Sequence, residues 1–99
     1  MALKADVVYR GTSLSGAVFQ VGTMTLMIAS DGGSGTLSFP VLTWLSQSSY
    51  VAGEQHSAVP EWQSNEMNWD PAGAAPLVQA YAFVTAKLQA GGATNIVEV

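Results

Sequence analysis

Ninety-nine residues suffice for one packed core and not for two, since a chain of this size buries roughly 60–70% of its unfolded surface. Charged residues make up 10% of the chain and apolar ones 48%, against about 25% charged in an ordinary soluble domain. With Lys4, Arg10 and Lys87 the only cations, a net charge of −4 and no cysteine, the composition excludes a disulfide framework and a thiolate metal site and disfavours nucleic acid as a partner.

The opening Met1-Ala2-Leu3-Lys4-Ala5-Asp6 meets an acid within six residues and lacks an uninterrupted apolar stretch, so it does not read as a secretory signal. Residues 5–10 alternate, with Ala5, Val7 and Tyr9 on one side and Asp6, Val8 and Arg10 on the other, which predicts a half-buried strand. Residues 11–16 read as a turn. Residues 17–28 predict a second strand whose apolar parity changes near Gly22, where a bulge would restore register. The uncharged stretch 11–30 is long enough to span a bilayer, yet its Ser, Thr, Gln and Gly residues suit a strand period rather than a spanning helix, and no membrane partner is expected.

Asp31-Gly32-Gly33-Ser34-Gly35 supplies residues able to take positive φ and predicts a reversal between antiparallel strands. Alternation resumes through Leu37, Phe39 and Val41 in a strand over 36–50, extended by Trp44 and Leu45, with Pro40 marking an edge or bulged position. Residues 52–64 are polar and broken by Gly53 and Pro60, and Met67 and Trp69 alternate with Glu66, Asn68 and Asp70 as a short strand. After Pro71 the period changes: Leu77, Tyr81, Val84 and Leu88 share one helical face, Pro76 suits the first turn, Lys87 the last, and Gly91-Gly92 the C-terminal cap. Residues 95–99 form a short terminal strand or a docking tail. The expected fold is α+β and β-rich, an antiparallel sheet of three to five strands with one C-terminal amphipathic helix packed on it, in a single domain over 1–99. One face of that sheet is left half apolar, which points to partners.

His56 is the one histidine, beside Glu54 and Ser57 and near Glu61. A hydrolase would use Ser57 as nucleophile and His56 as base, but no nucleophile-elbow sequence surrounds the serine, so these residues are read as a solvated loop and no catalytic residue is expected. Glu61, Glu66 and Asp70 lack the order of a calcium loop, and the glycine-rich turn lacks a following Lys-Ser/Thr pair, so neither metal nor cofactor is expected. Trp44, Tyr50, Trp62 and Trp69, with the terminal Val97 and Val99, are the expected partner interface, since large aromatics anchor cores and interfaces alike. A sugar-binding platform built on the tryptophans is the competing use.

Four segments carry a resemblance: Met1-Ala2-Leu3 leading into Val7-Val8-Tyr9-Arg10-Gly11, the run Ala17-Val18-Phe19-Gln20-Val21, the helix entry Gln79-Ala80-Tyr81, and the exit Ala90-Gly91-Gly92-Ala93-Thr94. In this order they resemble the small structural proteins of tailed-phage virions. Leu88-Gln89-Ala90-Gly91 departs from the Leu-Pro-Glu-Phe ending common in such helices. The resemblance implies a non-enzymatic, repeated component of the virion, assembled in the host cytoplasm and held by other virion structural proteins in a symmetric homo-oligomer. A tail or baseplate position is the leading expectation. A capsid cement or decoration protein, or a carbohydrate-binding appendage module, is the alternative.

Overall fold

In the computed structural model, which describes residues 1–99, ten elements follow one another. They are β1 (Leu3–Tyr9), β2 (Thr12–Val21), β3 (Thr25–Ile28), β4 (Gly35–Phe39), β5 (Val41–Trp44), α1 (Gln47–Val51), α2 (Pro60–Gln63), β6 (Asn65–Trp69), α3 (Pro76–Ala90) and β7 (Thr94–Glu98). The strands form two antiparallel sheets, one ordered β5-β2-β1-β7 and the other β3-β4-β6. The fold is thus α+β and β-rich, with the C-terminal helix α3 packed against β6 and β2. In place of one sheet of three to five strands there are seven strands in two sheets, and two residues explain the division.

Residues 17–28 and 36–50 each leave one sheet and enter the other at the same height. Val21 faces Val41 and Thr25 faces Ser38, so Gly22, Thr23 and Met24 span a gap that Phe39 and Pro40 cross on the opposite chain. This one-residue bulge lies where the apolar parity switches. Pro40 has no N–H to give a ladder, but its carbonyl accepts from the Gly22 N–H at 2.8 Å and ties the two bends together. A Cβ at residue 22 would lie 2.9 Å from Pro40 Cγ, so only glycine permits the approach.

Strand alternation then sorts the side chains. Leu3, Ala5, Ala17, Phe19 and Val41 of the first sheet meet Leu37 and Phe39 of the second, and α3 adds Ala80, Tyr81, Val84 and Leu88. Phe19 and Trp62 lie 5.2 Å apart between ring centroids, and Phe39 meets Phe83 edge-on at 5.8 Å. Each such buried side chain contributes about 1.5–3 kcal/mol relative to exposure. The Tyr81 hydroxyl donates to the Met1 carbonyl at 2.6 Å and accepts from the Val21 N–H at 3.1 Å, joining the helix to the start of the chain and the end of β2. Burial pushes its pKa up.

The turn expected over 11–16 is tighter than that, with Arg10 and Gly11 at positive φ and β2 already running at Thr12. Gly16 is instead the site of a bulge. Ala5 faces Ala17 while Val7 faces Leu14, so Ser15 and Gly16 together oppose Asp6. On the other side of β1, Asn95 and Ile96 occupy a second bulge, with Asn95 at φ 54. Asp6 accepts from both bulges, from the Gly16 N–H at 2.9 Å and from Asn95 Nδ2 at 2.7 Å.

The strand expected to reach Tyr50 ends at Trp44. Ser46 takes extended geometry and its hydroxyl accepts the Ser49 N–H at 3.2 Å, which starts α1. Within the polar segment 52–64, Pro60 sits in the first turn of α2. Helix α3 runs as expected with Pro76 in its first turn, and Gly91 and Gly92 turn the chain into β7, Gly92 at φ 86. Of its expected stripe, Tyr81, Val84 and Leu88 are buried, whereas Leu77 stays 42% exposed and Ala80 takes a place in the core.

Candidate assembly surface

Each sheet has two edge strands, and an unpaired edge is a template for another strand unless something guards it. Three of the four edges are guarded. On β5, the Ser57 N–H donates to the Thr43 carbonyl at 2.7 Å and lays the following loop against the strand. β7 carries the Asn95 bulge and Glu98. β6 carries exposed Glu66 and is followed directly by exposed Asp70.

The fourth edge, β3, has none of these devices. All four of its residues are exposed, and no charge falls between Thr23 and Ser30. Met27 is 66% exposed and Ile28 57%, and they point to opposite faces of the sheet. The hairpin is well made despite this exposure. Leu26, Leu37 and Met67 form one row across the three strands, and Ile28, Gly35 and Trp69 form the next. Gly35 is fixed by crowding, because a Cβ there would come within 2.6 Å of the Met27 carbonyl and 3.0 Å of Trp69 Cε3. At the tip, the Asp31 carboxylate accepts the Gly33 N–H at 2.9 Å and shapes the turn.

The expected interface residues are distributed over four places. Trp44 and Tyr50 come together edge-on at 4.9 Å, half-buried, with the exposed His56 ring 5.9 Å from Trp44 and the indole N–H donating to the Glu54 carbonyl at 2.7 Å. Trp62 is only 8% exposed and belongs to the core, where the Lys87 ammonium lies 4.4 Å from its ring centroid. Trp69, half-buried, lies over Gly35. Val97, opposite Lys4 in β7, and Val99, just past its end, are exposed, and the Val99 N–H donates to the Ala2 carbonyl at 3.0 Å. The tryptophans therefore present no common platform. The residues that do form a continuous bare strand, Leu26, Met27 and Ile28, carry a signal visible in sequence: an apolar run beside a glycine-rich turn with no Lys, Glu or Pro to protect it.

The His56 imidazole makes no hydrogen bond to Ser57 or Glu54; the ring contacts Trp44, and Ser57 and Glu54 act through their backbones. Lys87 donates to the Glu61 carbonyl and to Asn65 Oδ1 at 2.8 Å. Desolvation holds its pKa below the usual lysine value, against the opposing pull of the Glu61 charge. No helix is long and apolar enough to cross a membrane. Compared with known proteins, the chain matches no family model, no curated protein and no solved structure.

Proposed function

We propose that this chain is a non-enzymatic structural subunit of a multi-copy assembly, which completes its three-stranded sheet by pairing β3 with the β3 of a second copy. The single observation that carries this reading is the unguarded edge, with every residue from Thr25 to Ile28 exposed and uncharged. Exposed N–H and C=O groups on an edge are satisfied best by another strand. Antiparallel pairing of two β3 strands about a twofold axis sets no like charges opposite each other, because the strand has none. The low overall charge supports the same reading, since interface cores are depleted in charged residues. The segments that resemble small tailed-phage structural proteins make the virion the proposed setting, in a tail or baseplate position, with capsid decoration as the alternative location.

Size-exclusion chromatography with light scattering tests the pairing. The unmodified chain is expected to elute as a dimer or larger species, and Met27→Lys to weaken self-association about tenfold or more while its circular dichroism stays unchanged. A chain that remains at its monomer mass of 10.3 kDa at every concentration and binds nothing from a parent particle overturns the reading. Immunogold micrographs of purified particles test the setting, and an unlabelled tail and capsid would remove it.

A further inference from the structure

The hairpin decides which backbone groups β3 turns outward. The Ala29 N–H donates to the Ser34 carbonyl at 2.9 Å, and Met27 and Thr25 stand opposite Thr36 and Ser38 at the next two positions of the same parity. Along an antiparallel pair, residues that exchange hydrogen bonds alternate with residues that do not. Thr25, Met27 and Ala29 therefore direct their N–H and C=O groups at β4, and Leu26 and Ile28 aim theirs at the open side. A second β3 obeys the same parity, so an outward residue must stand opposite an outward residue. Full overlap, with Thr25 opposite Ile28, breaks that rule.

Three twofold registers keep to it: Leu26 opposite Leu26, Ile28 opposite Ile28, or Leu26 opposite Ile28. The first sets Ile28 against Met24, in the bend that leaves the sheet. The second sets Leu26 against Ser30, in the turn that the Gly32 N–H closes on the Ala29 carbonyl at 2.9 Å. Each of these leaves a single bonding pair inside Thr25–Ile28, whereas the third places two there and doubles the hydrogen bonds exchanged. From this parity and from the ends of the strand, we infer that two copies join with Leu26 of each opposite Ile28 of the other, and with the two Met27 residues facing each other on the twofold axis. The inference rests on the β3 pairing proposed above and adds the residues that meet. Opposite residues share a face, and Leu26 and Ile28 lie on the face of buried Leu37. The row of Trp69, Gly35 and Ile28 in one copy thus continues into Leu26, Leu37 and Met67 of the other. On the opposite face Met27, 66% exposed in the single chain, packs against its mate, a contact that its flexible thioether suits. The joined sheet ends on β6 at both sides, where Glu66 and Asp70 guard it, so the pairing closes at two copies.

The chain has no cysteine, so single cysteines placed on β3 and oxidised with diamide report the register. Met27→Cys is expected to form a covalent dimer, because facing residues that exchange no hydrogen bonds have Cα atoms about 4.5 Å apart, within disulfide reach. Leu26→Cys and Ile28→Cys meet their own mates across a diagonal of about 7–8 Å and are expected to bridge about tenfold more slowly or not at all. An equal mixture of ¹³C-labelled and unlabelled chains tests the same point without substitution. An isotope-filtered nuclear Overhauser contact between the Thr25 Hα of one copy and the Ala29 Hα of the other is expected, since these two also face each other without exchanging hydrogen bonds. A Thr25–Met27 or Met27–Ala29 contact in its place, or faster bridging at residue 26 or 28 than at 27, overturns the register and leaves the pairing of β3 standing. A chain that is monomeric at every concentration removes the pairing and the register together.

Discussion

In the four-stranded sheet, the inner face lies under Trp62 and α3, α1 and the Trp44–Tyr50 pair stand against β2 and β5, and both edges are guarded by a bridge or a bulge. In the three-stranded sheet, α3 covers the inner face beside β6, Met27 stands bare on the outer one, and β3 has an open edge. Both sheets share the same ribbon, bent at Gly22 and Pro40, and both are rich in apolar residues. The contrast lies in the edges and not in residue type: Val8 on the four-stranded sheet is as bare as Met27, but only the three-stranded sheet has an edge that nothing bridges, bulges or charges.

The largest effect that could break this contrast comes from deleting apolar bulk on the covered face and at the open edge. Phe19→Ala removes a core ring that packs on Trp62 and is expected to cost about 3–5 kcal/mol, enough to unfold much of a small domain. Ile28→Ala, at a largely exposed position, is expected to cost the monomer about 0.5 kcal/mol or less. Urea midpoints measured at low protein concentration give both numbers, and similar losses would show that the β3 edge is as closed as the core. A smaller effect is expected from Gly35→Ala, which pushes a methyl against the Met27 carbonyl and the Trp69 ring and should cost about 1–3 kcal/mol. Its signature is local: amide exchange should rise across β3 and β4 and stay unchanged in β1 and β2.

How far the sequence shows this division depends on how local each cause is. The helix over 76–90 was legible because Tyr81, Val84 and Leu88 repeat at helical spacing and Pro76 and Gly91 stand at its ends. The kink at Gly22 was legible too, since a change of apolar parity is a local signature of a bulge. That this kink sends the chain into a second sheet was not legible, because it depends on Gly22 meeting Pro40 eighteen residues away. Helix α1 is too short for periodicity, and its one sequence signal, Ser46 as a cap, was hidden beside the apolar Trp44-Leu45. Among the expected interface residues, Trp62 went to the core and Trp69 over Gly35 because a large aromatic in sequence does not reveal whether a glycine or a helix will lie against it. The buried, unpaired hydroxyl of Thr43 and the double clamp on Asp6 are products of packing alone, between residues up to 89 apart.

Asp6 gives the finest test, because it acts within the covered sheet and leaves the open one alone. Its carboxylate accepts from Asn95 Nδ2 and from the Gly16 N–H, and these bonds, Asn95 first, hold its pKa below the ordinary 3.8. Hydrogen bonds to the ionised form favour that form. With the folded pKa below the unfolded one, the unfolded chain binds more protons as the solution is acidified. The stabilisation is therefore complete above about pH 3.8 and is lost as pH falls through the folded value. Melting temperatures followed from neutral to about pH 2 should fall less steeply for Asp6→Asn than for the unmodified chain. The carboxylate is open to solvent, so this difference should be the smallest of the three. Over the same acidification, amide protection relative to the intrinsic exchange rate at each pH should fall at Gly16 and along β7, where the two bulges lose their shared acceptor. The β3–β4 amides, which have no tie to Asp6, should keep their protection. Equal loosening at both ends of the molecule would mean that the bulge clamp is coupled through the Gly22–Pro40 bend, and that the covered and open sheets respond as one body.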